Sequence, residues 1–203
     1  MMPFVIIFIL LLSACGIKTA NSESSIKGKV EYWQAGYSLK SYIEANSLYF
    51  YGEIPVDDQG NFEYKLPTPK LEHLDRLSFK AGKGCNLEEM PILQPNNARA
   101  AKLKLIGSLK NAEVEIRLLN PKPSLGFDEP ISGFFIYLDR DGVLNGYLKE
   151  ACLDGTRKEI AFNNVRLSKG WNYIELYIRN YQGRFYSIEA IKKKAPSAQL
   201  IWM

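Results

Sequence analysis

Histidine occurs once in these 203 residues, at His73, and cysteine three times, at Cys15, Cys85 and Cys152. A zinc site made of several histidines is excluded by that count, and Ser-His-Asp or Cys-His catalysis would have to run through His73 alone. No G-x-S-x-G nucleophile turn and no C-x-x-C pair is present, and no spacing announces a cofactor, so none is expected. Neither sign of charge dominates: 26 Lys and Arg against 22 Asp and Glu leave +4. That falls short of the dense basic stripe of a nucleic-acid binder, and no nucleic-acid partner is expected. The longest apolar run, Phe4 to Leu12, has nine residues where a bilayer-spanning helix needs about 20. With 46% hydrophobic and 24% charged residues, the chain is neither disordered nor fibrous and can bury one good core or two small ones.

What is there begins at the N-terminus. Nine apolar residues have the length of a signal-peptide hydrophobic region, and Ser13, Ala14 and Cys15 follow them directly. Leu12-Ser13-Ala14-Cys15 resembles the lipobox of bacterial lipoproteins. That resemblance implies removal of residues 1–14, a diacylglyceryl thioether on Cys15 and an acyl chain on its new amino group. Two or three chains, at about 0.8 kcal/mol per buried CH₂, make a stable membrane anchor where one does not. Gly16 in place of Asp, read against the same family, favours the outer membrane wherever the cell has two. Residues 15–25, with the Ser-rich run Ile17 to Ser25, are expected to form a flexible tether behind the anchor. Across its length the chain is similar to small β-rich lipoproteins of bacterial envelopes.

With Cys15 lipidated, Cys85 and Cys152 remain as an even pair outside the cytosol, where a disulfide is the default. Two separate buried thiols are the alternative.

From Ile26 onward short alternating runs follow one another between Gly, Pro, Asn and Asp, so the fold class expected is all-β, a β-sandwich. Twelve strands are predicted: Ile26–Trp33, Ser38–Glu44, Ser47–Ile54, Asn61–Leu66, Ala101–Gly107, Ala112–Leu119, Gly133–Leu138, Val143–Glu150, Lys158–Leu167, Trp171–Arg179, Arg184–Lys192 and Gln199–Trp202. Only Pro69–Leu77 and Asn96–Ala101 leave room for a helical turn. Asp57–Gly60, Asp139–Gly142 and Ser168–Gly170 read as hairpin loops. Two prolines and two asparagines in Met90–Ala98 suggest a division into packed β modules at residues 26–93 and 98–203. Ile26 to Val30 with Asp57 to Pro67, D-x-x-G-x-F-x-x-x-L-P, resembles carboxypeptidase-regulatory or transthyretin-like sandwich modules. The resemblance implies an accessory sandwich without catalytic residues.

Several residues are candidates for chemistry. In Trp171–Arg179, Ile174, Leu176 and Ile178 share one face while Trp171, Tyr173, Glu175 and Tyr177 share the other. The aromatic face is either packed in the sandwich, which is favoured, or an exposed stripe for sugar rings or peptides. Asp139 and Asp141, with Asn145 and Glu150, follow part of the spacing of a calcium loop, but Val143 and Leu144 break it and a turn is favoured. His73, beside Glu72 and Asp75, reads as a surface residue. Lys192, Lys193 and Lys194, with Arg184 and Lys169, read as a solvated strand end, which is favoured, or a contact for anionic lipid headgroups or wall polymers. The function expected is a lipid-anchored envelope protein, held to the membrane through Cys15, that binds or scaffolds envelope proteins or glycans and performs no chemistry. The alternative is a small carboxylate-dependent glycan- or peptide-active enzyme. A pocket joining two acids to several of Trp33, Phe135, Tyr173 and Tyr177 would favour that alternative.

Overall fold

Side chains of a strand point alternately to its two faces, so a strand with large apolar side chains at successive positions has to be covered on both. Pro130–Leu138 and the first half of Gly170–Gln182 are such strands, and the molecule is arranged around them. The computed structural model describes residues 25–30, 33–109, 112–119, 130–193 and 198–201. It is all-β: β1 (Ser25–Val30), β2 (Tyr37–Glu44), β3 (Leu48–Ile54), β4 (Asn61–Lys65), β5 (Cys85–Glu89), β6 (Ile92–Gln94), β7 (Ala100–Leu109), β8 (Ala112–Leu119), β9 (Pro130–Leu138), β10 (Gly142–Cys152), β11 (Arg157–Leu167), β12 (Gly170–Gln182), β13 (Phe185–Lys193) and β14 (Ala198–Ile201). A single 3₁₀ turn, Leu71–His73, is the only helical piece among the described residues. Hydrogen bonds join the strands in the order β4-β1-β14-β8-β7-β9-β12-β13-β11-β10-β5, with β2 and β3 branching from β7 and β6 from β10. The sheets pack in a sandwich-like arrangement.

Two main cores lie on opposite faces of the shared strands. Ile136, Leu138 and Ile174 enter one, with Leu144, Leu148, Ile160, Phe162 and Ile188. Their neighbours Phe135 and Tyr173 enter the other, with Ile26, Val30, Leu39, Ile54, Phe62 and Leu105. A smaller cluster of Ile43, Ala45, Leu74 and Ala101 extends the second. Strand β7 divides in the same way, Ala100 to the first core and Leu105 to the second. Tyr173 lies flat across β9 because Gly133 offers no side chain there: a Cβ would come within 2.7 Å of the Tyr173 ring.

All twelve predicted strands are present, with shifted ends. Glu31, Tyr32 and Trp202, at the ends of two of them, lie outside the described residues, as do the 1–14 leader, Cys15 and most of the tether. Two strands are additional. Strand β5 exposes most of its positions and so has no apolar alternation to read, and β6 is three residues between Pro91 and Pro95; both lie on β10. Asn96–Ala101 holds no helix.

The loops differ more. Asp57–Gly60 is a tight turn, with the Asp57 carboxylate accepting from the Gln59 and Asn61 amides. Beyond a single bridge, Val56 to Phe62, the chain leaves β3 and pairs with β1. Asp139–Gly142 and Ser168–Gly170 are not hairpins: β9 pairs with β7, β8 and β12, and β11 with β10 and β13. A Gly-ended turn reverses the chain, but which face must be covered decides where the next strand goes. Pairs β1–β14, β2–β7, β5–β10 and β6–β10 cross residues 93–98, so hydrogen bonding is continuous over the boundary read from Met90–Ala98.

Cys85 and Cys152 stand directly opposite each other on β5 and β10, with their sulfurs 2.05 Å apart. They fasten the start of β5, and with it the loop 79–84, to the end of β10. Because the bond closes 67 residues, the chain-entropy model predicts that Cys85→Ser with Cys152→Ser costs about 4 kcal/mol. Chemical denaturation with and without reductant should show that loss in the parent and no effect of reductant on the double variant.

Candidate functional site

Strand β7 reads Ala-Ala-Lys-Leu-Lys-Leu, which sets Lys102 and Lys104 on one face with Leu103 and Leu105 on the other. In solvent this would be an ordinary polar face, but the end of β2 and the loop 79–84 close over it. Glu44, the last residue of β2, pairs across the ladder with Lys102 and is only 4% exposed. Three ammonium groups surround its carboxylate: Lys80 at 2.9 Å, Lys102 at 3.3 Å and Lys104 at 3.5 Å. Lys102 also lies over the Phe79 ring, 5.3 Å from its centre. These groups open into a cleft of about 550 Å³ whose walls add Lys83, Glu150 and Lys158, over an apolar floor that includes Phe79, Phe134 and Leu176. Glu150, also buried, faces Lys158 at 3.6 Å. Five lysines against two glutamates leave three positive charges in the cleft.

The electrostatics follow from burial. Desolvation pushes the Glu44 carboxyl up, but the Lys80 hydrogen bond and the charges of Lys102, Lys104 and Lys80 outweigh it and hold it below the ordinary 4.5. Lys102 goes the other way: burial lowers its ammonium below the ordinary 10.5, and Glu44 recovers only part of that. One carboxylate shared among three ammoniums is well solvated, while the deepest of the three is not. An acid held ionised at neutral pH has no proton to donate, so Glu44 is unsuited to be the general acid of a glycosidase pair.

The residues singled out from sequence lie elsewhere. Tyr173 and Tyr177 are buried and Trp171 is half-buried. Trp171 donates from its indole to the Pro67 carbonyl at 2.7 Å and meets Tyr137 edge to face. Tyr177 donates to Glu175 at 2.5 Å, and burial together with that carboxylate pushes its phenol up to about 12. An exposed aromatic stripe is therefore not what this face forms; it packs, because the second core needs covering. Trp33 packs against that core as well, and of the four aromatics named for an enzyme only Phe135 borders the cleft.

Asp139 accepts from the Arg99 amide at 2.9 Å and from Arg140, while Asp141 accepts from the Lys169 amide at 2.6 Å. Glu150 sits in the cleft, so the calcium spacing does not converge. Among the described residues no three His, Cys, Asp or Glu gather as a metal group. His73 stacks on Tyr49 with ring centres 3.9 Å apart and shares a 2.7 Å hydrogen bond with Tyr51. It is half-buried and braced by aromatics, where a surface position was expected. Lys192 donates to Ser168 at 3.1 Å, and Lys193 approaches the Tyr177 ring; Lys194 lies outside the described residues.

Of the cleft residues, Glu150 and Phe135 were singled out from sequence for other roles, and Glu44 and the five lysines were not. Their one signal is the alternation of Lys102 and Lys104, which also describes any solvated strand. No family model, no curated protein and no solved structure matches the chain.

Glu44→Gln keeps the shape of the side chain and removes the charge that three ammoniums share. We expect it to cost about 3 kcal/mol, a fall in Tm of roughly 9 °C, while Lys102→Met stays within about 1 kcal/mol of the parent because it removes a buried charge with a depressed pKa. Since the folded-state pKa of Glu44 lies below its ordinary value, its contribution is present above 4.5 and drains away as pH falls through the folded value. Thermal melts of parent and Glu44→Gln should therefore converge in acid; equal gaps at pH 7 and in acid would refute the assignment.

Proposed function

We propose that the protein is a lipid-anchored component of the bacterial cell envelope that binds an anionic ligand without transforming it. One observation carries the binding reading: five lysines and two glutamates converge on a cleft with an apolar floor, and the excess charge is positive. A ligand with an acidic group on an apolar body matches both surfaces, the acid meeting Lys80, Lys83, Lys102 and Lys104 and the body meeting Phe79, Phe134 and Leu176. The lipobox at Leu12–Cys15 supports the anchor and, with Gly16, the outer membrane where two exist.

The enzyme alternative draws support from Glu44 and Glu150 sharing this cleft. It is disfavoured because both carboxylates are engaged by lysines, and because Trp33, Tyr173 and Tyr177 do not border the cleft.

Two measurements test the proposal. Calorimetric titration with dodecyl phosphate, below its micelle concentration, should show saturable binding that weakens with salt, and the neutral dodecyl maltoside should not bind. Lys102→Met should weaken that binding by about tenfold and Glu44→Gln, which raises the positive excess, should tighten it. Equal binding of both detergents, or no effect of either variant, would refute the anionic site. Separately, intact mass of the membrane fraction should give the Cys15–Met203 chain plus diacylglycerol and an acyl group, and Cys15→Ser should abolish that added mass. An unmodified Cys15 in the parent would end the anchor reading and leave the cleft untouched.

A further inference from the structure

Three turns meet at one end of the sheet formed by β12, β13, β11, β10 and β5. The β12–β13 turn sits beside β11 because the Arg157 amide donates to the Arg184 carbonyl at 2.8 Å. Arg184 also donates from its guanidinium to the Asp154 carbonyl of the β10–β11 turn. That turn reaches the loop before β5, where the Leu153 amide donates to the Gly84 carbonyl at 2.9 Å. The apolar side chains at this end are unusually bare. Leu153 is 90% exposed, Tyr181 54% and Phe185 37%, and the Tyr186 ring leans against Tyr181 at a tilt of 37° with ring centres 4.8 Å apart. Around them stand the exposed cations Lys83, Arg157 and Arg184. The one acid on these turns, Asp154, is exposed and accepts from the Thr156 amide and hydroxyl at 2.9 and 3.0 Å.

We propose that this turn end docks on the surface of a bilayer containing anionic lipid. A leucine at the crest, amphipathic tyrosines behind it and basic residues around them match the order of environments met on entering a membrane, acyl boundary below headgroups below phosphate charge. Leu153, 90% exposed at the turn, suits a soft surface that closes around it. Charge decides between a neutral and an anionic surface, since three exposed cations stand against a single carboxylate. The docking surface also continues into the cleft: Lys83 belongs to both, and Glu150 and Lys158 lie on the same strands a short step from Cys152 and Arg157. A docked molecule therefore holds its lysine cleft at headgroup level. This inference rests on the envelope location proposed above, but its residues and its test are separate from Cys15.

The test uses the mature chain, residues 15–203 with Cys15→Ser, so that neither a lipid anchor nor the apolar run Phe4–Leu12 contributes, in flotation with vesicles of phosphatidylcholine alone or mixed with phosphatidylglycerol. The expected result is binding to the mixed vesicles and little to the neutral ones. Leu153→Asp should reduce binding by about tenfold, and Arg184→Gln by about fivefold. Both positions are exposed, and unchanged melting curves will confirm that the variants fold. Equal binding to both kinds of vesicle, no binding to either, or tip variants that bind like the parent would overturn the proposal. So would binding lost on Lys102→Met and kept on Leu153→Asp, which would place the lipid in the cleft alone. A parent that sediments as a dimer, dispersed by Leu153→Asp, would assign the patch to a second copy and overturn it as well.

Discussion

Strands β9 and β12 bury both of their faces, and the rest of the molecule is arranged to cover them. Neighbouring residues diverge: Phe135 and Tyr173 go into one core and Ile136 and Ile174 into the other. A strand of this kind cannot lie at a surface, because either face left open would expose a row of large apolar side chains to water. Strands from the first part of the chain therefore fold over one side, and β10, β11 and β13 cover the other. The constraint extends to single atoms, since the Tyr173 ring occupies space that is free only because residue 133 is glycine.

The lysine cleft is a consequence of the same arrangement. Covering the central strands brings the end of β2 against β7, which places the Glu44 carboxylate at a site nearly closed to water. A lone carboxylate there would be neutral, so the site holds its charge only with ammonium groups around it. Lys102 and Lys104 come from the adjacent strand, but Lys80 comes from a loop, and the bond between Cys85 and Cys152 fastens the end of that loop. The disulfide thus bears on the cleft as well as on the fold.

The cleft and the bare turn end share Lys83 and lie along the same two strands, so a surface that engages one brings the other close. An apolar crest, a basic rim and a cationic cleft with an apolar floor suit one environment, the headgroup layer of an anionic membrane. The proposed anchor at Cys15 would put the protein in that environment, and the cleft would sample acidic ligands there.

The sequence by itself determined the class of fold, because alternation at a period of two is a local property: twelve strands were legible, and the two that were not, β5 and β6, lack an apolar face to alternate. It also pointed to the pair Cys85 and Cys152, through their even number and the compartment expected from the lipobox resemblance. The tertiary structure decided everything that depends on two distant segments meeting. Asp139–Gly142 and Ser168–Gly170 have the composition of hairpin turns, yet their strands part, since pairing depends on which buried face is free. Packing was the favoured reading for the aromatic residues of β12, but only the fold shows that Ile26, Val30 and Phe62 are among the residues that cover Trp171 and Tyr173. Nothing near Lys102 in the chain predicts that Glu44 will be its neighbour. Burial and charge pairing are long-range properties, and no window of the sequence contains both partners.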